Sequence, residues 1–338
     1  MSNENFNVER QRLDEMLRGL DGRIAVAVGV GSGAEVRELH HTLADLAEAG
    51  AIPEHVGGFV FFVSGYLCAA AHGLPDLGYV LRSEIVRHTD IVEQASWMAA
   101  LDRGTAAHPI GVDIDTGYGS EPSAVLLTCR QVHKQGAAYV QIEDQLAINK
   151  SCGHMDGPRG TGKEVIDVDE MIEARLAPAL AYAAGHDDFL VAARTDALAG
   201  HGLDEALQRA HRYVEAGAHM IFVEAPGSDD ELATIGSELA GSGAINVANM
   251  VEGSDKTPFK TPRELQELGF QLALYPVGPF LAGHDAQRRY YDRLGRGTPT
   301  PAAAERMGNP FEQFNRVIGR PQTEAWNERF RRTDKKPR

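Results

Sequence analysis

A regular alternation of short apolar runs with longer amphipathic stretches is the feature that most constrains the fold. Eight runs rich in β-branched and aromatic residues recur along the chain: IAVAVGV (24–30), GFVFFV (58–63), PIGVDID (109–115), AAYVQIED (137–144), DFLVAART (188–195), HMIFVEA (219–225), AINVANM (244–250) and FQLALYP (270–276). Segments with helical periodicity lie between them, such as 34–50, 121–136 and 203–218, and these end at or near glycine. Strands that alternate with helices favour parallel pairing through right-handed crossovers.

The number of repeats distinguishes between the α/β architectures. An open doubly wound sheet usually has five or six strands, whereas eight strand–helix repeats close a (β/α)8 TIM barrel. We therefore predict such a barrel for residues 1–295, with a helical extension over 296–338. The extension begins with a proline-bearing linker, and one side of its predicted helix carries Phe311, Phe314, Val317 and Ile318. That apolar side must pack either on the barrel of its own chain or on a neighbouring subunit, and we expect the neighbouring subunit.

Composition excludes several classes of partner. The formal net charge of −15 argues against nucleic acid or an anionic membrane, because both select basic surfaces. No apolar run approaches the roughly 20 residues that a membrane span needs. The three cysteines lack paired spacing and the N-terminus lacks a signal core, which predicts a reducing cytoplasm. A small anionic substrate remains compatible where a metal or local cations offset the field.

Polar residues collect where six consecutive predicted strands end. They are Ser64, Gly65 and Tyr66, then Asp113 and Asp115, Glu143 and Asp144, Arg194 and Asp196, Glu224, and finally Asn249 and Glu252. Any single one could be a helix cap or a turn former. The catalytic loops of a barrel follow the carboxyl ends of its strands, so the six together predict one shared site.

Three of these residues predict a metal site. Asp113 and Asp115 are two positions apart, so on a strand they face the same side, and Glu143 follows on the next strand. Clustered carboxylates repel one another unless a cation or a proton intervenes. Oxygen ligands favour Mg²⁺, or Mn²⁺, over Zn²⁺. A zinc site at Cys152 and His154 would lack a second Cys/His pair.

The stretch NKSCGHM (149–155) contains the one cysteine that invites chemistry. Lys150 and His154 flank Cys152, and nearby positive charge favours thiolate. The glycine-rich, polar segment 151–167 is typical of a mobile lid. The other two cysteines, Cys68 and Cys129, lie among apolar residues and are predicted to be packing residues.

These motifs resemble the isocitrate lyase and phosphoenolpyruvate mutase superfamily. The resemblance runs from roughly residue 57 to 295, through GLPDLG, DIDTGYG, IEDQ…NKSCGHM, ARTDA, VEA and NMVEG…KTP. The K-x-C-G-H element is typical of the carbon–carbon lyase branch, which includes 2-methylisocitrate and 2,3-dimethylmalate lyases. The resemblance implies a Mg²⁺-dependent, homotetrameric barrel enzyme. Its reaction would cleave a 2-hydroxy di- or tricarboxylate into a 2-oxo acid and a carboxylate.

The resemblance also implies residue roles. It gives the metal to Asp113, Asp115 and Glu143, with Asp76 nearby. The residues that would bind the oxo-acid portion of the substrate are Ser64, Gly65, Arg194 and Asn249. Glu224 would support the groups around the metal and the substrate. The lid is shaped by Lys150, Gly153 and His154, and Cys152 gives a proton to the carbanion carbon.

Two positions depart from the pattern. Phe62 stands where the lyases usually have tyrosine, which leaves Tyr66 as the candidate partner for the hydroxyl proton. Ser151 stands where a lysine or arginine is usual, which favours a smaller or less charged substrate than isocitrate. The alternatives are an isocitrate lyase, an oxaloacetate hydrolase or decarboxylase, a mutase-type enzyme, and a non-catalytic carboxylate binder. The Cys-Gly-His element argues against the mutase branch.

Overall fold

Eight parallel strands pair in chain order and close into a barrel. The computed structural model describes residues 8–148, 150–155, 163–298 and 309–331. The strands are β1 Ile24–Gly29, β2 Val56–Val63, β3 Ile110–Asp113, β4 Ala137–Glu143, β5 Leu190–Thr195, β6 Met220–Val223, β7 Ile245–Asn249 and β8 Leu272–Tyr275. The predicted fold is confirmed, and the strand ends differ from the predicted ones by a few residues at most.

Helices follow the strands and surround the barrel. Within the described residues they are α1 Leu13–Arg18, α2 Gly33–Glu48, α3 Gly65–Ala71, α4 Arg82–Arg103, α5 Pro122–Lys134, α6 Val168–Glu170, α7 Ala177–Ala183, α8 Leu198–His201, α9 Leu203–Glu215, α10 Asp229–Leu239, α11 Pro262–Glu267, α12 Gly278–Gly295, α13 Pro310–Val317 and α14 Arg320–Phe330. A π-helical turn, Met171–Leu176, joins α6 to α7. None of these helices is both long and apolar enough to cross a membrane.

The strands bury both faces, so the molecule has two apolar cores. The outer core lies between the sheet and the helices. The inner core fills the barrel with alternate strand residues, including Phe62 and Tyr139, whose rings stack at 6.3 Å between centroids. Leu13 and Leu17 of α1 close the amino-terminal end. The carboxyl end of the barrel therefore remains open for a site.

Glycine makes the barrel filling possible at β3. A Cβ built on Gly111 would lie 2.1 Å from the ring of Tyr139, far inside van der Waals contact. Tyr139 is 1 % exposed and forms the floor beneath Phe62 and the site. The absence of a side chain at Gly111 therefore leaves the space that the Tyr139 ring fills in the inner core.

The C-terminal extension differs from the single predicted helix. Gly319, with φ of 77°, separates α13 from α14, because the left-handed region suits glycine and interrupts the helix. Arg37 of α2 donates through Nε to the Val317 carbonyl oxygen at 2.7 Å, so the extension contacts its own barrel. Phe311 and Phe314 remain exposed. Packing of this side on a neighbouring subunit stays a prediction.

Candidate active site

A cavity of about 240 Å³ opens at the carboxyl ends of the strands. Its walls contain all of the predicted site residues except Gly65 and Asp115: Ser64, Tyr66, Asp76, Asp113, Glu143, Lys150, Cys152, Gly153, His154, Arg194, Glu224 and Asn249. Gly65 and Asp115 lie beside the cavity, since a Cβ at Gly65 would be 3.1 Å from Asp115 Oδ1 and 3.5 Å from Oδ2 of Asp113, which lines it. The structure therefore brings the polar strand ends together at one cavity, and their role in an active site stays a prediction.

Three carboxylates converge on one side of this cavity. One oxygen each of Asp113, Asp115 and Glu143 lies within 4.8 Å of the others. The predicted reason for this is wrong, because β3 ends at Asp113 and Asp115 lies beyond it with φ of 49°. The left-handed residue turns the chain back, and its amide donates to Asp113 Oδ1 at 3.0 Å. A tight turn, not strand alternation, brings the pair together.

Burial controls the charge of this cluster. Desolvation, together with the negative charge of Asp115, raises the pKa of Asp113 to about 7. Desolvation also raises the pKa of Glu143 well above its usual value. Within the described part of the chain, neither carboxylate oxygen of Glu143 has a hydrogen-bond partner. Its nearest cation is Arg194, whose Nη1 is 3.3 Å from Oε2. Free carboxylate lone pairs in a buried acidic pocket fit a divalent cation such as Mg²⁺ or Mn²⁺.

Lys150 connects this cluster to Asp76. Its Nζ donates to Asp76 Oδ1 at 2.6 Å and lies 2.7 Å from Asp115 Oδ1. Burial opposes its charge, but the surrounding carboxylates, led by Asp115, raise the pKa of Lys150 well above its usual value. Lys150 is therefore a fixed cation between the two acids, and Asp76 stands outside the group of three carboxylates.

Arg194 and Glu224 form a charged wall that adjoins the carboxylate cluster. Arg194 donates to Asp196 through Nε at 2.9 Å and through Nη2 at 2.8 Å, a bidentate arrangement that fixes the guanidinium plane. Asn249 donates through Nδ2 to Glu224 Oε2 at 3.3 Å. His154 Nδ1 is 2.8 Å from Glu224 Oε1. This wall is rigid because every member is bound to another.

Gly153 allows the Cys152 segment to lie against that wall. A Cβ at this position would be 1.7 Å from Glu224 Oε1 and 2.5 Å from Arg194 Nη2. Only glycine permits this approach, so the predicted importance of the position has a steric reason.

The protonation state of Cys152 differs from the prediction. The thiol is half-buried, and burial, with the charge of Asp76 next in size, raises its pKa to about 12. Lys150 and His154 do not favour the thiolate as expected, because each is already paired with a carboxylate. A thiol that keeps its proton is suited to give a proton rather than to attack. Cys68 and Cys129 are buried, as expected of packing residues.

Several side chains that hold the Cys152 segment were not identified from the sequence. Thr257 Oγ1 is 3.1 Å from His154 Nε2. Lys163 donates to the Gly153 carbonyl oxygen and, at 3.0 Å, to Asp196 Oδ1. The lid prediction, for residues 151–167, falls partly on residues 156–162, which lie outside the described residues. Thr257 lies in the quoted KTP element, and Lys163 ends a glycine-rich stretch, so a sequence signal existed for both.

Two polar strand ends have structural roles. Asp144 is fully buried and accepts hydrogen bonds from Thr195 Oγ1 at 2.7 Å and Tyr213 Oη at 2.9 Å. Glu252 lies at the cavity edge, where Oε2 accepts the Val277 amide at 3.1 Å, at the start of α12. Asp144 therefore stabilises the fold behind the site, and Glu252 stabilises the amino-terminal end of α12.

Comparison with known proteins places this geometry in context. Residues 45–293 match the family model described as phosphoenolpyruvate phosphomutase. The 2,3-dimethylmalate lyase of Eubacterium barkeri is 31% identical over 303 residues, which cover 85% of this chain and 94% of the relative. The 2-methylisocitrate lyase of Halalkalibacterium halodurans is 33% identical over 274 residues, 80% of this chain and 82% of the relative. A structure of oxaloacetate acetylhydrolase with 3,3-difluorooxalacetate superimposes with a TM-score of 0.76 at 25% identity, covering 94% and 95%. These results confirm the predicted superfamily.

We expect Glu143→Gln to weaken divalent-cation binding roughly 10- to 100-fold, because the amide removes a negative ligand from the cluster. Calorimetric titration with Mn²⁺ in the absence of substrate measures the change. Glu215→Gln, an exposed carboxylate at the end of α9, is the matched control and should bind as the wild type does. Unchanged Mn²⁺ affinity in Glu143→Gln would show that the ion, if bound, is held elsewhere.

Proposed function

Because the chain belongs to the phosphoenolpyruvate phosphomutase family, we propose that it is a Mg²⁺-dependent carbon–carbon lyase acting on 2-hydroxy dicarboxylates that carry alkyl groups. The products would be a 2-oxo acid and a carboxylate. The proposal rests on the position of the Cys152 thiol, whose pKa burial raises to about 12, in a cavity beside the cluster of three carboxylates.

The cluster of Asp113, Asp115 and Glu143 would hold the metal, with Asp76 and Lys150 alongside. When bound, Mg²⁺ would polarise the substrate hydroxyl and the carbonyl that forms from it. Mn²⁺ has the same ligand preference. Lys150 remains charged in this position and offsets part of the acidic field around the substrate.

The oxo-acid fragment needs fixed donors for its carboxylate. Arg194 and Asn249 face the cavity, and Ser64 opens α3 without using its side chain as a helix cap. Gly65 lets the start of that helix approach the carboxylates closely. Glu224 orients Asn249 and His154 from behind. These groups are held in advance, so little reorganisation accompanies binding.

The second fragment leaves as an aci-carboxylate, which needs a proton on its carbon. In the proposed step the hydroxyl proton leaves to a base, the carbon–carbon bond breaks, and the released carbon takes the proton of Cys152. The raised pKa keeps that proton on sulfur until the carbanion forms. Tyr66 lines the cavity and is the proposed partner for the hydroxyl proton, since Phe62 has no polar atom.

The cavity walls favour an alkyl substituent on the substrate. Most of the charged side chains come from β3 to β6 and the loops that follow them. The sector between β8 and β2 is mainly apolar, with Glu252 at its edge, and contains Phe62, Leu274, Pro276, Val277 and Leu281. A carboxylate in that sector would lose hydration next to these apolar groups and close to Glu252. Malates with methyl or ethyl groups fit this sector better than isocitrate or 2-methylisocitrate does.

We expect Cys152→Ser to lose cleavage by about 10²- to 10⁴-fold, because a hydroxyl is a far weaker acid than a thiol. Purified wild type and mutant would be incubated with Mg²⁺ and 2,3-dimethylmalate, 2-methylisocitrate, isocitrate or oxaloacetate, with products identified by mass spectrometry. Cys129→Ser, the buried cysteine of α5, is the matched control. Oxalate plus acetate as the main products would assign hydrolysis of oxaloacetate instead. Absence of wild-type turnover would favour a carboxylate binder.

Leu281→Ser tests the alkyl-binding sector. We expect kcat/KM for 2,3-dimethylmalate to fall about tenfold relative to unsubstituted malate, because the substituent loses apolar contact. The ratio between the two substrates is the measured quantity, since it cancels general effects on the fold. An unchanged ratio would place the alkyl group elsewhere in the cavity.

We also propose a homotetramer and a reducing cytoplasmic location. The 18-residue helix α12 has no buried residue, and it exposes Tyr290, Tyr291 and Leu294, an apolar surface that a second copy would cover. A working thiol and two further free cysteines favour a reducing compartment.

Light scattering should give a mass four times the 36.6 kDa chain, and Leu294→Glu on α12 should lower it. The charge would be buried without a partner at the proposed interface. Leu126→Glu, an exposed apolar residue of α5, is the control and should not change the mass. A monomeric wild type would contradict the tetramer.

A further inference from the structure

The side-chain amide of Gln145 holds the backbone of Ser151, the residue before Cys152. Gln145 Nε2 donates to the Ser151 carbonyl oxygen at 2.9 Å, and the Ser151 amide donates to Gln145 Oε1 at 3.1 Å. The amide thus pairs with both polar groups of one residue, as a neighbouring strand would. Gln145 is 1 % exposed and Ser151 is 2 % exposed, so water does not compete for these bonds.

Gln145 is itself fixed to the metal-binding side of the site. It lies two residues after Glu143, and Arg175 donates through Nη1 to the carbonyl oxygens of both residues at 2.7 Å. Arg175 belongs to the π-helical turn, a local geometry that often occurs at functional sites. An isolated antiparallel bridge to Val165 holds Gln145 from the other side. The position of its amide is therefore tied to that of Glu143.

Gln145 contacts the residues around Cys152 through the backbone of Ser151 and not through its side chain. Within the described residues, Ser151 Oγ has no hydrogen-bond partner, so the serine side chain contributes nothing to this contact. The next residue is anchored as well, because the Cys152 amide donates to the Asp76 carbonyl oxygen at 3.0 Å. Two backbone attachments therefore hold the chain at Ser151 and at the Cys152 amide, and the first depends on a single side chain.

We propose that Gln145 is a positioning residue for Cys152: its amide sets the distance between the thiol and the carboxylate cluster. The mechanistic part rests on the proposed function, in which Cys152 gives the proton. Without the amide, the Ser151 N–H and C=O would be buried and unpaired, so the segment would move to regain partners. A displacement of 1 Å at a reacting group can cost about 100-fold in rate.

Gln145→Met tests this proposal, because methionine has a similar length and no polar donor. We expect the rate at which iodoacetamide alkylates Cys152 to rise about threefold or more as the segment opens. The modified cysteine is identified by mass spectrometry, and no substrate is needed. We also expect kcat to fall about 10- to 100-fold, with a smaller change in KM. Gln94→Met, on the exposed side of α4, controls for the substitution itself.

The two measurements separate the hold of Gln145 on the Ser151 backbone from its effect on the reaction. An unchanged alkylation rate overturns the proposal whatever happens to kcat, and faster alkylation with wild-type kcat overturns the positioning role. If the wild type cleaves nothing, the proposed function fails and alkylation alone decides whether Gln145 holds Cys152. If Gln145→Met does not fold, Gln145→Asn applies the same test, because its amide is one methylene too short to reach Ser151.

Discussion

Three carboxylates buried in one pocket are the constraint on which the rest of the site depends. Asp113, Asp115 and Glu143 lie within 4.8 Å at their ligand oxygens, and burial raises the pKa of Asp113 and Glu143. Such a cluster is stable only if cations or protons offset its negative charge. Lys150 supplies one charge by bridging Asp115 and Asp76, and a divalent ion would supply the remainder. The three buried carboxylates therefore account both for the negative charge of the pocket and for its capacity to bind a metal ion.

Carboxylates beside this cluster explain why the Cys152 thiol keeps its proton. Asp76 binds Lys150 and Glu224 contacts His154, so both basic residues that flank the cysteine in sequence are already paired. A thiol without a free cation, partly removed from water, holds its proton. The arrangement therefore places a group that could bind a cation and a thiol that keeps its proton in the same cavity, and a carbon–carbon cleavage that ends in protonation needs both.

The fold and the location of the site were predictable because both follow from periodicity. Eight apolar runs specify eight strands, and polar residues at their ends specify one rim. Features that depend on contacts between residues in three dimensions were less predictable. The left-handed turn at Asp115 is a backbone state that residue spacing does not reveal. The charge on Cys152 depends on which carboxylates pair with its neighbours, and the roles of Gln145, Lys163 and Thr257 depend on contacts between distant segments. The break at Gly319 is an intermediate case, since glycine indicates a helix end but not the second helix that follows.

The origin of the proton on the released carboxylate tests the central claim most directly. Cleavage of 2,3-dimethylmalate in D₂O should place one deuterium on the carbon released from the bond, in a single configuration, because the exchanged thiol of Cys152 delivers it from one face. Nuclear magnetic resonance reads the number of deuterium atoms in the product directly, and the configuration after the product is joined to an enantiomerically pure chiral auxiliary. Equal amounts of the two configurations would contradict the account, because the proton would then come from bulk water and not from a fixed thiol.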